Sequence, residues 1–294
     1  MPRGRSASRY QKKTPHEHIL TRPDTYVGSV VMEETETWTC RGDRISWEAV
    51  NYVPALYKII DEILVNASDN VVRCREEEDS EPCTEIQITV DLETGWITVR
   101  INGTSPPVEK HEEEDVYVPE MIWAQLLTSE NYDDTEQRKV GGTNGMGAKL
   151  TNIYSTEFIV PLYDASRHLE YRQVFSDNNT VRGEPEIKKG RAKKSWTEVS
   201  FHPDYTRFGM TGMDKSTYRL LHRRAHDLAI RQGVRVSWNG ERLPVNNLSQ
   251  YVDLFYPDAK VKKCLDVSDP EWQICVVYDP SHAIPCQQVS WVNG

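Results

Sequence analysis

The 294-residue chain has no long apolar run, no Cys-x-x-Cys pair and no surplus of basic residues. Without some 20 consecutive apolar residues, the sequence offers neither a membrane-spanning helix nor an ordinary signal peptide. Six cysteines, Cys40, Cys74, Cys83, Cys264, Cys275 and Cys286, are scattered along it. That scatter suits reduced intracellular thiols better than disulfides or zinc. The eight histidines show no ligand-like spacing, so surface or core roles are expected of them. A formal net charge of −10 argues against a main DNA-gripping surface, which would be basic. Nucleic acid, if it is a partner, is held mostly elsewhere. Two basic runs break the acidic background: Arg3, Arg5, Arg9, Lys12 and Lys13 near the start, and residues 188–194, which read as a solvated hairpin tip. No internal repeat is visible. Also missing is Gly-x-x-x-x-Gly-Lys-Ser/Thr, and no strand feeds a glycine-rich turn in the manner of a dinucleotide fold.

What the chain does have is Gly141 Gly142 Thr143 Asn144 Gly145 Met146 Gly147 Ala148 Lys149 Leu150. Its glycines let backbone N–H groups turn inward against an anion, and Leu150, Ile153 and Tyr154 suit a helix whose N-terminus adds donors. The motif reads as a phosphate-binding loop. Upstream, Pro54 opens a helix with an apolar face at Leu56, Ile59, Ile60, Ile63, Leu64 and Ala67. Glu62, Asn66, Asp69 and Asn70 form a neighbouring polar stripe. Asn, Asp and Asn are poor helix formers, so their concentration points to a site that uses their groups. A carboxylate there can take a proton from water, and an amide oxygen can serve Mg²⁺ as a hard ligand.

The order Glu62-x-x-x-Asn66-x-x-Asp69-Asn70, Asn102-Gly103, the 141–149 loop and Thr197 in a strand-like run resembles the nucleotide-binding motifs of the gyrase, Hsp90, histidine kinase and MutL ATPase superfamily. Flanking residues are more specific. Tyr10-Gln-Lys-Lys-Thr14, Arg22-Pro-Asp-Thr-Tyr-Val-Gly28, Gln125-Leu-Leu-Thr-Ser129 and Asn131-Tyr-Asp-Asp134 resemble the amino-terminal ATPase domain of eukaryotic-type DNA topoisomerase II. The similarity runs from about Tyr10 to the end. It implies Glu62 as general base, Asn66 as the Mg²⁺ ligand, and Asp69 and Asn70 beside ribose and phosphates. Asn102 would bind the adenine amino edge, Ser129 and Asn131 the sugar and phosphate region, and Thr197 the base through water. Asn144, Gly145, Met146, Gly147 and Ala148 would contact the triphosphate, with Lys149 as a catalytic charge beside its outer phosphates. Two stretches depart from the family pattern: after Asn102 the chain reads Gly103-Thr104-Ser105-Pro106-Pro107 in place of the usual Gly-x-Gly-Ile-Pro, losing the second glycine and the isoleucine, and Thr143 and Met146 stand where Arg and Tyr are usual. The base pocket is therefore expected to be reshaped around Ser105 and Pro106.

Alternation at Ile86, Ile88 and Val90, a turn at Thr94-Gly95 and a run over 96–101 predict a hairpin delivering Asn102 to its end. Helices are expected over 119–127 and 215–231, and a polar lid over 129–139. Strands are expected over 157–162, 169–175, 197–202 and 235–239, and a further strand pair over 272–278 and 287–292. The fold class is an α/β (α+β) two-layer sandwich, a mixed sheet with helices on one face. In the resembled family this is the Bergerat-type ATP-binding fold. Three parts are expected: an amino-terminal arm (1–20), an ATP-binding domain (21–262) and the start of a second, transducer domain (263–294). The lysine that this second domain supplies to the γ-phosphate is absent, as in a fragment. The resemblance implies an ATP- and Mg²⁺-using gate that closes a homodimer during DNA strand passage, in the nucleus or, for an organellar form, the mitochondrion. It implies no membrane contact. The other reading is an Hsp90-like nucleotide-switched module with little turnover.

Overall fold

Pro54 sits in the first turn of a 23-residue helix, α2 (Pro54–Glu76), whose buried side carries Leu56, Ile59, Ile60, Ile63, Leu64, Ala67, Val71 and Cys74. This stripe recurs every three to four residues and lies on the sheet, so the apolar period decides which side faces inward. Each such aliphatic side chain contributes about 1.5–3 kcal/mol on burial, and truncating fully buried Leu64 to Ala would cost about 2–5 kcal/mol. The structure is a computed structural model; it describes residues 11–128, 145–257, 261–269, 272–280 and 288–291.

Under α2 lies a nine-stranded sheet. Its strands are β3 (Glu85–Val90), β4 (Ile97–Asn102), β5 (Ser155–Asp164), β6 (Leu169–Ser176), β7 (Val181–Arg182), β8 (Glu186–Lys189), β9 (Trp196–Pro203), β10 (Arg235–Trp238) and β11 (Glu241–Arg242). The order is β11-β10-β3-β4-β9-β5-β6-β7, with β8 also on β6. β10 runs parallel to β3 and the other pairings are antiparallel, so the sheet is mixed, as expected. α5 (Lys215–Gln232), capped by the Asp214 carboxylate, packs beside α2 on the sheet. Arg224 on α5 donates to Asp61 on α2 at 2.6 Å.

Three elements differ from the sequence expectation. The nominal arm holds a helix, α1 (Pro15–Thr21), closed by a Thr14–Glu17 capping box, and it seats Ile19 in the core. Residues 33–52 form a hairpin, β1 (Glu33–Arg41) and β2 (Arg44–Tyr52), around a Gly42-Asp43 turn. Its strands mix Glu, Thr and Arg with few apolar residues, which hid it. Finally, β13 (Ile274–Tyr278) pairs with β12 (Lys262–Asp266), while residues 288–291 carry no strand. Apart from Cys264 and Leu265, β12 has little apolar character, so periodicity gave no sign of it. The β1–β2 hairpin, α5 and α6 (Leu248–Asp253) enclose a second small core of Trp38, Cys40, Ile45, Val245, Leu248, Tyr251 and Leu254.

Candidate functional site

Glu62 projects from the middle of α2 with its side chain 17% exposed and ion-paired to Lys58, one turn earlier. Against it stands the first residue of α4 (Gly147–Ile153). A Cβ built on Gly147 would collide with the Glu62 carboxylate and lie 2.9 Å from its Cδ and 3.2 Å from its Cβ. Only a residue without a side chain allows this approach. Two bonds fix α4 in place: the Thr151 hydroxyl donates to the Ile59 carbonyl at 2.7 Å, and the Asn152 amide donates at 3.0 Å to Trp123 on α3 (Val118–Ala124). The glycine-rich motif and the acidic helix, some eighty residues apart in sequence, thus meet side by side.

Asn66 is exposed one turn beyond Glu62, with its amide open to solvent on the same side of the helix. Asp69 and Asn70 are buried, and Asn70 donates to Cys74 Sγ at 3.6 Å. At the loop end, Gly145 takes a left-handed φ of 58°, and Met146 caps α4. Ala148 and Lys149 are buried. The Lys149 ammonium donates to the Thr128 hydroxyl at 2.7 Å, to the Gly145 carbonyl at 2.5 Å and to the Thr128 carbonyl. It therefore ties together the two residues that flank segment 129–144. Burial pulls its pKa down to about 8, which leaves it mostly charged at neutral pH, and an arriving anion would raise that pKa again. Ser129, Asn131 and Asn144 lie outside the described residues.

Asn102, at the end of β4, is hydrogen-bonded to the start of the neighbouring strand. Its Oδ1 accepts from the Thr84 and Glu85 amides at 2.9 Å each, and its Nδ2 donates to the Thr84 hydroxyl at 2.9 Å. These bonds secure the strand end, and an adenine amino group arriving here would have to share Oδ1 with the two backbone amides. Gly103 follows at φ +99°, and a Cβ there would lie 2.8 Å from the Cys83 backbone. Buried Thr197 sits on β9 between Ile101 and Leu162, one residue from the Asn102–Trp196 pair. Ser105, one of the departures from the family pattern, donates to the Tyr163 carbonyl at 3.0 Å, which joins the reshaped loop to β5.

A separate cavity of about 330 Å³ is walled by Glu77, Asp79, Glu81 and Asp164 together with Ser195 and Arg167. Thr104, Ser105 and Pro107 of the departing loop also line it, but none of the residues expected to hold the phosphates or the metal does, and four carboxylates against one guanidinium would repel a triphosphate. Two residues that contact the candidate site were given no role from the sequence. Lys58 was legible, standing four residues before Glu62 on one helix face; Thr128 lies within the Gln125–Ser129 motif, but its contact with Lys149 was not readable from it.

No protein-family model matches the chain. It is 42% identical over 97% of its length to the DNA topoisomerase 2 of Arabidopsis thaliana, and spans 19% of that protein. The chain thus covers about a fifth of the curated relatives it matches. Among solved structures, the ATPase region of Saccharomyces cerevisiae topoisomerase II superposes with a TM-score of 0.86 at 38% identity, covering 92% of this chain and 70% of that one. The 43K ATPase domain of Thermus thermophilus gyrase B, at 21% identity and a TM-score of 0.54, shares the fold.

Proposed function

The chain belongs to the family of type II DNA topoisomerase ATPase regions, and from that premise we propose that it binds and hydrolyses ATP as the gate of a topoisomerase. One observation carries the reading: Gly147 lies directly against Glu62, so a phosphate on the glycine-rich loop meets the carboxylate that can activate water. Glu62 orients a water in line with the terminal phosphoryl group and accepts its proton as the phosphoryl bond breaks. Release of the Lys58 ion pair frees the carboxylate for this step. The Gly145 and Gly147 backbone and the Lys149 ammonium hold the phosphates.

The donor set fits Mg²⁺, because an exposed amide oxygen, Asn66, stands one turn from a carboxylate, and hard oxygens suit that ion. Bound there, Mg²⁺ would neutralise phosphate charge. Thr197 and Asn102 would border the base end, and Asn70 would lie toward the ribose and phosphates. Residues 129–144, with Ser129, Asn131 and Asn144, would complete the phosphate side.

We assign residues 1–20 to an arm, 21–262 to the ATP-binding unit and 263–294 to the start of a transducer domain. The pairing of β12 with β13 alone, apart from the large sheet, supports a new unit near that boundary. In the full protein, ATP would draw two copies together while other regions hold DNA, in the nucleus or, in an organellar form, the mitochondrion. No helix among the described residues is long and apolar enough to cross a membrane. The Hsp90-like alternative has less support, since the relatives are topoisomerases. Titration with a fluorescent ATP analogue, with and without Mg²⁺, tests the reading: saturable, Mg²⁺-enhanced binding is expected, and absence of binding would overturn the site.

A further inference from the structure

Away from the nucleotide site, three side chains with metal-binding chemistry converge where the β1–β2 hairpin lies on α5. Cys40 comes from β1, and His222 and His226 come from successive turns of α5; one ligand atom of each lies within 4.8 Å of the other two. Four-residue spacing on a helix puts both imidazoles on one face, with ring centroids 5.1 Å apart. His222 is stacked on Trp238 at an interplanar angle of 17°, which fixes the plane of its ring.

Hydrogen bonding does not account for this arrangement. His226 is 0% exposed, yet neither of its ring nitrogens has a hydrogen-bond partner. A buried polar atom left unmet is costly, and a ring nitrogen lying within 4.8 Å of a thiol and a second imidazole could be satisfied by a cation that all three ligate. Cys40 is 1% exposed, and its thiol makes one weak contact, donating to the Gly42 carbonyl at 3.1 Å. Asp43 lies in the turn that follows Cys40, three residues along the chain.

We propose that Cys40, His222 and His226 bind one Zn²⁺, with the Asp43 carboxylate or a water in the fourth position. One thiolate and two neutral imidazoles form a nitrogen and sulfur donor set suited to tetrahedral zinc. Binding replaces the thiol hydrogen with the metal–sulfur bond: the proton leaves to solvent, and the contact with Gly42 is given up. The ion joins a surface hairpin to the helix whose Arg224 holds α2 through Asp61, and so acts as a clip between the second core and the nucleotide-binding body. This site shares no residue with the nucleotide site and does not depend on the ATPase reading.

The test uses the full 294-residue chain. Purified without chelator, it should carry about one zinc by elemental analysis. The metal-free chain should bind one equivalent of Co²⁺, with the thiolate-to-cobalt absorption and the intense visible bands of a four-coordinate ion. Cys40→Ser should lose the thiolate band, and His226→Leu should weaken Co²⁺ binding at least about 100-fold, no less than the loss of a supporting outer ligand. A Cys264→Ser/Cys275→Ser chain should keep the band unchanged, and saturating Zn²⁺ should raise the melting temperature of the parent by several degrees. A parent chain that gives no thiolate band with Co²⁺ would overturn the proposal, and this result does not require any variant to fold. Persistence of the band in Cys40→Ser, or its loss in the Cys264→Ser/Cys275→Ser chain, would overturn it equally.

Discussion

Gly147→Ala places a methyl group where the Glu62 carboxylate now stands. The new Cβ would lie 2.9 Å from Glu62 Cδ and 3.2 Å from its Cβ, and would overlap the nearer carboxylate oxygen. The end of a glutamate can swing aside, so the strain should be relieved by moving the carboxylate and not by unfolding α4. Alanine favours a helix over glycine by up to about 1 kcal/mol, which offsets part of an overpacking cost of about 1–3 kcal/mol. The melting temperature should therefore fall only slightly. Catalysis is less tolerant, because displacing a reacting group by about 1 Å costs on the order of 10²-fold. Steady-state ATPase assays, run beside nucleotide titrations and thermal melts, should show turnover down roughly 10²-fold with affinity within several-fold. In a Glu62→Asp background, the shorter acid leaves room for the methyl group, so adding Gly147→Ala should cost little more; the two changes should be strongly non-additive. Parental turnover in Gly147→Ala, or simple additivity with Glu62→Asp, would refute the claim that glycine at 147 serves the carboxylate.

Asn66→Ala should weaken Mg²⁺-ATP binding while leaving binding of ligands confined to the base end unchanged, and unchanged Mg²⁺-ATP affinity would remove Asn66 as the metal ligand. Lys149 has a folded pKa of about 8, below its ordinary 10.5, so the cost of burying its charge is present below pH 8 and disappears as pH rises toward 10.5; the nucleotide-free chain should gain stability across that window. Phosphate contact should raise that pKa again, so calorimetry in buffers of different ionisation enthalpy should detect uptake of about half a proton per ATP at pH 8, lost in Lys149→Met. Tyr251 donates to buried Asp227 at 2.5 Å, an acid that also has Arg223 at 3.9 Å and a hydrogen bond from Trp291; Tyr251→Phe should destabilise the chain by about 1.5–3 kcal/mol in urea melts, and a change below about 0.5 kcal/mol would show that the bond carries no weight.

Elements with strong periodicity were legible in the sequence. The stripe from Leu56 to Ala67 and the alternation around Ile86 bury one side each, and burial sets their phase. The β1–β2 hairpin was not legible, because it buries Trp38, Cys40 and Ile45 against α5 and α6, elements some two hundred residues away, while its outward residues are Glu, Thr and Arg. In the site, Glu62 and Gly147 were found because short motifs carry their spacing. The partners of Asn102, Thr84 and Glu85, were not legible, because they stand at the start of a strand it meets only in the folded sheet. The same limit hid Cys40 beside His222 and His226: four-residue spacing on a helix is common, and the third group lies about 180 residues upstream.

Single-turnover hydrolysis of bound ATP by Glu62→Gln, with affinity measured on the same samples, bears most directly on the assignment of Glu62 as the group that activates water. The neutral amide keeps the size of the side chain but cannot take a proton, so ATP should bind within several-fold of the parent while hydrolysis slows by roughly 10² or more. Hydrolysis at the parental rate, or an equal loss of binding and turnover, would show that Glu62 is a structural residue of α2 and that the chemistry lies elsewhere.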